Sequence, residues 1–264
     1  MNLYIDMGGT YLRYQIENQE IITLKERDII SFLKKILKSN PKINRVGISF
    51  AGMVQDNIIL SAPNIDIKNL DLKSLFKNIE FQIDNDLNLA VLAESRYWKS
   101  KNIVALYIGT GIGAGVISDG EIIRGASNSA GEIGHIPFQK APFECGCGKD
   151  NCLELFCSGS AIKKWANYLN QNFSKLDELP PKIYDNFLKA LLYSSSILIT
   201  LFNPNTLVLG GGVVENNPFL IDYIRKNISK YALKTNIDNL QIVKSELKNA
   251  PLIGTKCMLE SNML

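Results

Sequence analysis

The sequence predicts an α/β protein built from two related lobes with a cleft between them. The main observation is a repeat: a strand, a glycine-threonine turn and a second strand occur at residues 3–16 and again at 103–118. The 264 residues, 46% of them hydrophobic, are enough for one large core or two modest ones. We expect an N-terminal lobe of residues 1–101 and 249–264, and a C-terminal lobe of residues 102–248.

The first part of the chain contains short apolar runs that are typical of strands. Segment 28–38 instead has apolar residues at helical spacing and a lysine-rich outer face, and Asn40-Pro41 is a signal that ends a helix. The expected strands are 3–7, 11–17, 21–25, 45–50 and 80–84, and the expected helices are 28–38 and 85–97.

The second part opens on a strongly apolar strand at 102–108, which runs into a glycine-rich turn and a further strand. That further strand turns at Asp119-Gly120, a two-residue hairpin signal. Another strand is expected at 206–209, ending in Gly210-Gly211-Gly212. The expected helices are 158–170, 184–202, 218–231 and 251–259.

Charge and hydropathy exclude several classes of protein. The formal net charge of +3 is too small to indicate nucleic-acid binding. The N-terminus has no basic leader or apolar signal core, and no stretch approaches the roughly 20 apolar residues of a membrane helix. We therefore expect a cytoplasmic protein with no membrane partner. In that reducing compartment the 5 cysteines favour metal ligation over disulfides.

The first glycine turn is a candidate phosphate-binding site. Asp6 ends a strand, and Gly8 and Gly9 follow with backbone N–H groups that can approach phosphate oxygens, while Thr10 adds a hydroxyl. A bare carboxylate would repel phosphates, so Asp6 indicates an intervening cation such as Mg²⁺. The alternative is a tight hairpin with an exposed aspartate.

The second glycine turn, Gly109-Thr110-Gly111-Ile112-Gly113, lies at the matching position of the repeat. It is not a Walker loop, because no Gly-Lys-Ser/Thr follows, and not a dinucleotide fingerprint, because a strand follows. The glycines 210–212 would let an adenine or a ribose lie against backbone. The alternative for them is a plain strand-to-helix turn.

Asp84-Asn85-Asp86 lies where a strand meets a helix. A carboxylate here can accept the proton of a hydroxyl that attacks phosphorus, and Asn85 can bind neighbouring hydroxyls. The alternative is a helix N-cap, since aspartate and asparagine are preferred there.

The only histidine of the chain and a group of cysteines predict a zinc site. His135 precedes Cys145, Cys147 and Cys152 within a short stretch, and three thiolates with one imidazole fill a tetrahedral shell. Zinc would therefore be structural, although Cys157 could replace one ligand. Glu132 and Glu154 flank this loop and would suit a polyol, because each carboxylate can accept two hydroxyl hydrogens; the alternative is a pair of surface glutamates. Outside the metal set, Cys157 and Cys257 are expected to be buried apolar residues.

Taken together, these motifs resemble the ROK family of sugar kinases and related repressors. The resemblance covers nearly the whole chain. The matching motifs, in the family's order, are Asp-x-Gly-Gly-Thr (6–10), Ala-Pro-Asn (62–64), Asn-Asp-x-Asn-x-Ala (85–90), Gly-Thr-Gly-Ile-Gly (109–113), Glu-Ile-Gly-His (132–135), Cys-Gly-Cys-Gly (145–148), Cys-Leu-Glu (152–154) and Leu-Gly-Gly-Gly (209–212).

The resemblance implies an actin-like ATPase (ribonuclease H-like) fold and ATP-dependent phosphorylation of a hexose or N-acylhexosamine hydroxyl. It implies ATP, catalytic Mg²⁺ and structural Zn²⁺ as cofactors, and a homodimer. Asp86 would be the general base at the sugar. The other implied sugar contacts are Asn64, Asn85, Glu132, His135 and Glu154. Asp6 would serve Mg²⁺, and Thr10, Arg13 and Thr110 would lie near the phosphates. Zinc would be held by His135, Cys145, Cys147 and Cys152.

Two departures from the family matter. The family usually has Pro-Gly where this chain has Ala51-Gly52, and the chain is short, so the identity of the sugar stays open. The alternative to a kinase is a sugar-binding regulator of the same family that does not phosphorylate. We expect no N-terminal helix-turn-helix domain, because Asp6 already belongs to the first turn. A zinc-finger nucleic-acid module disagrees with the charge and the glycine turns.

Overall fold

The structure, a computed structural model, describes residues 1–264 except 10, 27, 63, 64, 77, 174 and 262–264. The described chain forms two compact units. Unit 1 consists of Met1–Arg96, Arg124–Ala130 and Leu247–Leu264, and unit 2 consists of Tyr97–Ile123 and Gly131–Glu246. The predicted division into two lobes around a cleft stays a prediction.

Unit 1 contains a mixed sheet and a small antiparallel sheet. Its strands are β1 (Asn2–Met7), β2 (Leu12–Ile16), β3 (Ile22–Leu24), β4 (Arg45–Phe50), β5 (Met53–Gln55), β6 (Ile58–Ala62), β7 (Ile65–Asp71) and β8 (Glu80–Asn85). Its helices include α1 (Ile29–Ser39) and most of α2 (Asp86–Trp98). A 3-10 turn covers Lys73–Leu75.

The mixed sheet of unit 1 has the order β3-β2-β1-β4-β8. β1 pairs antiparallel with β2 and parallel with β4, and β4 pairs parallel with β8. The carboxyl ends of β1, β4 and β8 therefore meet at one edge of the sheet. Helix α1 begins as predicted, because the Asp28 side chain accepts hydrogen bonds from Ile30 and Ser31 N–H groups.

The antiparallel sheet β5-β6-β7 was not predicted from the sequence. Its first turn is Asp56-Asn57, and both residues have positive φ, at 50° and 64°. Two-residue hairpins require this conformation, and asparagine and aspartate tolerate it. The turn was a local signal for this sheet.

Unit 2 contains a second mixed sheet with helices packed on it. Its strands are β9 (Ile103–Ile108), β10 (Ile112–Ser118), β11 (Glu121–Ile122), β12 (Thr206–Gly210) and β13 (Gln241–Lys244). Its helices are α3 (Gly159–Leu169), α4 (Pro181–Phe202), α5 (Gly212–Asn216), α6 (Phe219–Asn227) and α7 (Lys234–Ile237); in unit 1, α8 (Ala250–Ser261) closes the chain. Further 3-10 turns cover Ile133–His135, Leu153–Leu155, Leu176–Glu178 and Ile228–Lys230.

The second mixed sheet has the order β11-β10-β9-β12-β13, which is the same topology as in unit 1. The predicted repeat of strand, turn and strand is therefore confirmed as β1-β2 and β9-β10. Helix α4 begins at Pro181, earlier than predicted, because proline is tolerated in the first helical turn. The predicted helix 218–231 is α6 followed by the 3-10 turn Ile228–Lys230.

Each unit has its own apolar core. In unit 1 the core includes Leu3, Ile5, Ile48 and Phe50, all fully buried. In unit 2 it is formed by β9, β12 and α4 together with the apolar residues of the cysteine-rich loop. Across the described residues, no helix is long and apolar enough to cross a membrane.

Candidate active site and zinc site

Asp6 lies in unit 1 at the carboxyl end of β1 and is 4% exposed. Its carboxylate accepts a hydrogen bond from Ser49 Oγ on β4 (2.9 Å) and from Arg13 Nη1 on β2 (3.2 Å). Burial raises the pKa of the Asp6 carboxyl, although Ser49 and Arg13 oppose the rise. The alternative of an exposed aspartate in a plain hairpin is therefore wrong.

The turn after Asp6 is closed by Gly8, whose N–H donates to the Tyr11 carbonyl (3.0 Å). Gly9 lies inside this turn. Thr10, which we expect near phosphates, lies outside the described residues. Arg13 is half-buried, and its guanidinium lies beside Asp6.

The second glycine turn, in unit 2, is held against the start of α3. The Gly109 N–H donates to the Gly111 carbonyl (2.9 Å). The N–H groups of Gly159 and Ser160 donate to the Gly109 and Thr110 carbonyls (2.8 and 2.9 Å). This partner was not predicted from the sequence, although Ser158 is a recognisable N-cap residue ahead of α3.

The glycines after β12 lie beside the same turn. Gly211 has φ +87°, and a Cβ there would lie 2.5 Å from the Ile108 carbonyl oxygen, so only glycine fits without strain. At Gly212, the first residue of α5, an added Cβ would meet nothing within 4 Å. The structure thus brings both predicted nucleotide-binding segments of unit 2 together, around Gly109.

Asn85 and Asp86 lie at the junction of β8 and α2 in unit 1. Asn85 Oδ1 accepts hydrogen bonds from the Leu87 and Asn88 N–H groups (2.9 and 3.4 Å), so Asn85 caps the helix, as the alternative interpretation has it. Asn85 Nδ2 donates to the Gly52 carbonyl (3.1 Å). Asp86 is half-buried on the first turn, where its carboxylate accepts from Leu87 N–H (3.0 Å). Their roles at a sugar stay predictions, and Asn64 lies outside the described residues.

The predicted zinc ligands form one cluster in unit 2. One ligand atom from each of His135, Cys145, Cys147 and Cys152 lies within 4.8 Å of all the others. His135 Nδ1 is 3.6 Å from Cys145 Sγ, and Cys147 Sγ is 3.3 Å from Cys152 Sγ. Cys157 does not belong to this cluster.

The geometry of the cluster fits zinc. A tetrahedral ion with Zn–S bonds of about 2.3 Å places its ligand atoms roughly 3.8 Å apart, close to the observed separations. His135 presents Nδ1 to the thiols, while its Nε2 lies 3.8 Å from Glu132 Oε2. That separation is longer than a hydrogen bond, so Glu132 does not bind the imidazole directly.

The environments of the cysteine thiols differ. Burial raises the pKa of Cys152 to about 12 and also raises the pKa of Cys145. A hydrogen bond from the Lys149 N–H lowers the pKa of Cys147, which is exposed. Cys157 is fully buried and Cys257 is buried, as predicted for both.

Glu132 and Glu154 occupy different positions around the zinc loop. Glu132 has a side chain 55% exposed. Glu154 is half-buried: its Oε2 accepts from the Ile112 N–H (3.2 Å), and its Oε1 lies 3.6 Å from Cys145 Sγ. Glu154 therefore lies between the cysteine cluster and the second glycine turn. Sugar contacts by both glutamates stay predictions.

A model of the ROK family matches residues 3–261. A glucokinase from Halalkalibacterium halodurans is 28% identical to this chain, covering 95% of this chain and 92% of the glucokinase. A xylose repressor from Bacillus spizizenii is 27% identical over 88% of this chain, and the chain spans 65% of that repressor's length.

Among solved structures, a ROK family glucokinase from Streptomyces griseus, in complex with glucose and AMPPNP, superposes with a TM-score of 0.76. The match covers 96% of this chain and 97% of the glucokinase at 23% identity, which establishes similarity of fold. ROK sugar kinases have the actin-like ATPase fold, so the predicted fold class is confirmed. Because the family model extends over nearly the whole sequence, the chain belongs to the ROK family.

Proposed function

We propose that this protein transfers the terminal phosphoryl group of ATP to a hydroxyl of a hexose or an N-acylhexosamine. The observation that carries the proposal is the placement of Asp6 and Asp86 at one sheet edge. Asp6 is the last residue but one of β1 and Asp86 follows β8, and both strands run parallel to β4 between them. Ligands of α/β sheets bind outside the carboxyl ends of the strands.

Asp86 is the proposed general base. It accepts the proton of the sugar hydroxyl while the hydroxyl oxygen bonds to the terminal phosphorus. The bond from that phosphorus to the bridging oxygen breaks, and ADP and a sugar phosphate leave. Positioning and charge neutralisation supply most of the remaining catalysis in such reactions.

The nucleotide would lie on backbone N–H groups of the second glycine turn and against Gly211 and Gly212. Bound Mg²⁺ would neutralise charge on the transferred group. Burial disfavours the ionised form of Asp6, and Ser49 and Arg13 do not fully offset this effect. A hydrated Mg²⁺ beside Asp6 would stabilise the ionised carboxylate, so we place the ion there. Thr110, which is exposed, and Arg13 would face the phosphates.

The sugar would be held by Asn85, Asn64, Glu132, His135 and Glu154. Zinc would keep the loop 135–152 rigid and hold His135 through Nδ1. Nε2 of His135, which lies 3.8 Å from Glu132 Oε2 and makes no hydrogen bond to it, would then donate to a sugar hydroxyl, and the Glu132 carboxylate would accept from a neighbouring hydroxyl. Four protein ligands would fill the zinc shell, so zinc would shape this side of the sugar site and would take no part in catalysis.

A second candidate function is sugar binding without phosphorylation. The observation in its favour is the similarity to a xylose repressor. Such a protein needs the sugar-binding residues and the zinc loop, but it does not need Asp86 as a base or Asp6 at a metal ion. Both aspartates are present in this chain, which favours the kinase.

The test is a panel of hexoses and N-acylhexosamines incubated with the zinc-loaded protein and Mg-ATP. We expect ADP release that depends on one class of sugar, with a matching sugar phosphate in mass spectra. Calorimetric titration of the same sugars separates the two candidates. Tight sugar binding with no ADP release above the rate without sugar would support the regulator instead.

A further inference from the structure

Asp84 is a buried carboxylate to which the sequence analysis assigned no role of its own. It lies on β8 and is 4% exposed. In register it is next to Ser49 on β4, which is next to Asp6 on β1, so one row of the sheet carries two buried carboxylates. A buried charge requires donors that replace water.

Donors surround Asp84 from several directions. Its Oδ2 accepts hydrogen bonds from Arg124 Nε (3.0 Å) and Arg124 Nη2 (2.8 Å). Its Oδ1 accepts from Asn88 Nδ2 (2.8 Å), Asn128 Nδ2 (3.2 Å) and the Asn85 N–H (2.7 Å). The charge is therefore compensated by one guanidinium and by neutral donors.

These donors join two stretches of unit 1 that are far apart in the sequence. Asn88 belongs to α2, whereas Arg124 and Asn128 belong to segment 124–130. This segment is part of unit 1, although the residues before and after it in the sequence belong to unit 2. Asn88 Nδ2 also donates to Asn128 Oδ1 (3.1 Å), and Asn128 donates to the Val54 carbonyl. The Ala130 N–H closes the segment on the Arg124 carbonyl (3.1 Å).

Asp84 holds the chain on both sides of Asp86. Its carboxylate binds the Asn85 N–H on one side and, on the other, the side chain of Asn88 on the first turn of α2. The backbone that carries Asp86 is thus fixed between two bonds to one buried carboxylate. Arg124 and Asn128 fix that carboxylate in turn.

We propose that Asp84, through its ion pair with Arg124, is a positioning residue for the Asn85–Asp86 turn and fastens segment 124–130 to that turn. This inference rests on the proposed function, since positioning has a kinetic consequence only if Asp86 is the base. Displacement of a reacting group by about 1 Å costs on the order of 100-fold in rate.

The kinetic test compares Asp84→Asn, Arg124→Gln and the double variant with the wild type. Each single variant leaves one partner unpaired, so we expect kcat to fall by about 10- to 100-fold and the sugar KM to rise, with the ATP KM unchanged. The double variant should have a kcat no lower than that of either single variant, because both substitutions break the same interaction. Arg124→Lys, which keeps the charge, should restore part of kcat.

A variant that only lowers the folded fraction would reduce kcat and leave both KM values unchanged, so this split separates positioning from stability. Glu260→Gln is the matched control in unit 1. It removes an exposed ion pair with Arg96 that has the same 2.8 Å separation. We expect wild-type kinetics from this control, because exposed pairs contribute little.

Amide hydrogen exchange gives a readout that does not depend on turnover. In Asp84→Asn, or in Arg124→Gln if the first variant does not fold, peptides covering 84–89 and 124–130 should exchange faster together. If the wild type transfers no phosphoryl group, the proposed function is contradicted. The exchange rates of segments 84–89 and 124–130 would then still show whether Asp84 holds the two segments together. Unchanged exchange in both segments, or wild-type kcat and KM in active variants, would overturn the inference.

Discussion

The two mixed sheets share a strand order but differ at the carboxyl end of their central strands. In unit 1, Asp6 stands one residue before the end of β1, between Arg13 on β2 and Ser49 on β4. In unit 2, Tyr107 stands one residue before the end of β9, at the matching place. One backbone plan therefore carries a buried charge in one unit and an aromatic ring in the other.

The neighbours of Tyr107 explain why it fits there. Gly113 and Gly210 flank it in register, and a Cβ at Gly210 would lie 2.7 Å from the tyrosine ring. The Tyr107 hydroxyl lies 3.3 Å from Ser245 Oγ. The comparison teaches that topology alone does not assign a role to a glycine turn. Only unit 1 has a carboxylate at this position, so the proposed role of Asp6 at Mg²⁺ has no counterpart in unit 2.

The largest effect is expected when the buried charge is removed. Asp6→Asn should lower kcat by about 100- to 1000-fold and shift the dependence of rate on Mg²⁺ to higher concentrations, because the electrostatic partner of the ion is lost. Steady-state ADP release across a Mg²⁺ titration measures this. Tyr107→Phe is the matched control, and an equal loss of turnover in both variants would show that the comparison is mistaken.

The stability of the metal-free protein relative to the same variant should depend on pH. Since burial raises the pKa of Asp6 in the folded state, the wild type gains stability relative to Asp6→Asn as pH falls toward the ordinary aspartate range. That advantage is lost as pH rises through the folded-state pKa. Chemical denaturation at several pH values measures the difference in unfolding free energy between the wild type and Asp6→Asn. A difference that grows as pH rises would exclude a raised pKa of Asp6.

Removal of the proposed zinc should affect unit 2 and spare unit 1. Chelation, or Cys152→Ala, removes the ion that would hold the loop together. The amides of 136–152 should then lose protection from hydrogen exchange, while those of β1 and β4 keep theirs. Zinc content is measured alongside by metal analysis. Cys157→Ala, a buried thiol outside the cluster, is the control that should retain zinc.

A smaller effect is expected from the glycines of unit 2. Gly211→Ala forces a Cβ to within 2.5 Å of a carbonyl oxygen at positive φ and should cost about 1–3 kcal/mol of stability. Gly212→Ala meets nothing within 4 Å and should be close to neutral for stability. Denaturant unfolding compares the two, and equal stabilities would contradict the close approach of Gly211 to β9.

The hydrogen bonds at the matched positions give a further comparison of stabilities. Ser49→Ala removes a bond to a buried carboxylate and should cost about 1.5–3 kcal/mol if that group stays ionised. Tyr107→Phe removes a long bond between neutral groups and should cost about 0.5–1 kcal/mol. The order of the two unfolding free energies is the result to measure, and the reverse order would argue against a charged Asp6.

Local patterns were sufficient for much of the fold. The repeated strand and turn, helix α1 and the cluster of His135 with three cysteines were all predicted, because each depends on residues close together in the sequence. Histidine and cysteine are rare in this chain, so their clustering carried much information.

The rest depends on long-range pairing that spacing does not encode. Asp84 and Arg124 are 40 residues apart, and neither belongs to a motif that predicts the other. Ser160 and Thr110 meet because α3 returns to the turn after β9, which no local pattern announces. The small sheet β5-β7 was missed, although the Asp56-Asn57 turn and the alternation at the start of β7 were local signals for it.

The central claim is phosphoryl transfer with Asp86 as the base, and single-turnover transfer from labelled ATP to the best sugar of the panel tests it most directly. Asp86→Asn should bind that sugar with near wild-type affinity and transfer the label about 100- to 10,000-fold more slowly. Asp119→Asn, in the β10–β11 hairpin, should match the wild type, since asparagine also adopts its φ of 51°. Wild-type transfer rates in Asp86→Asn would contradict the account.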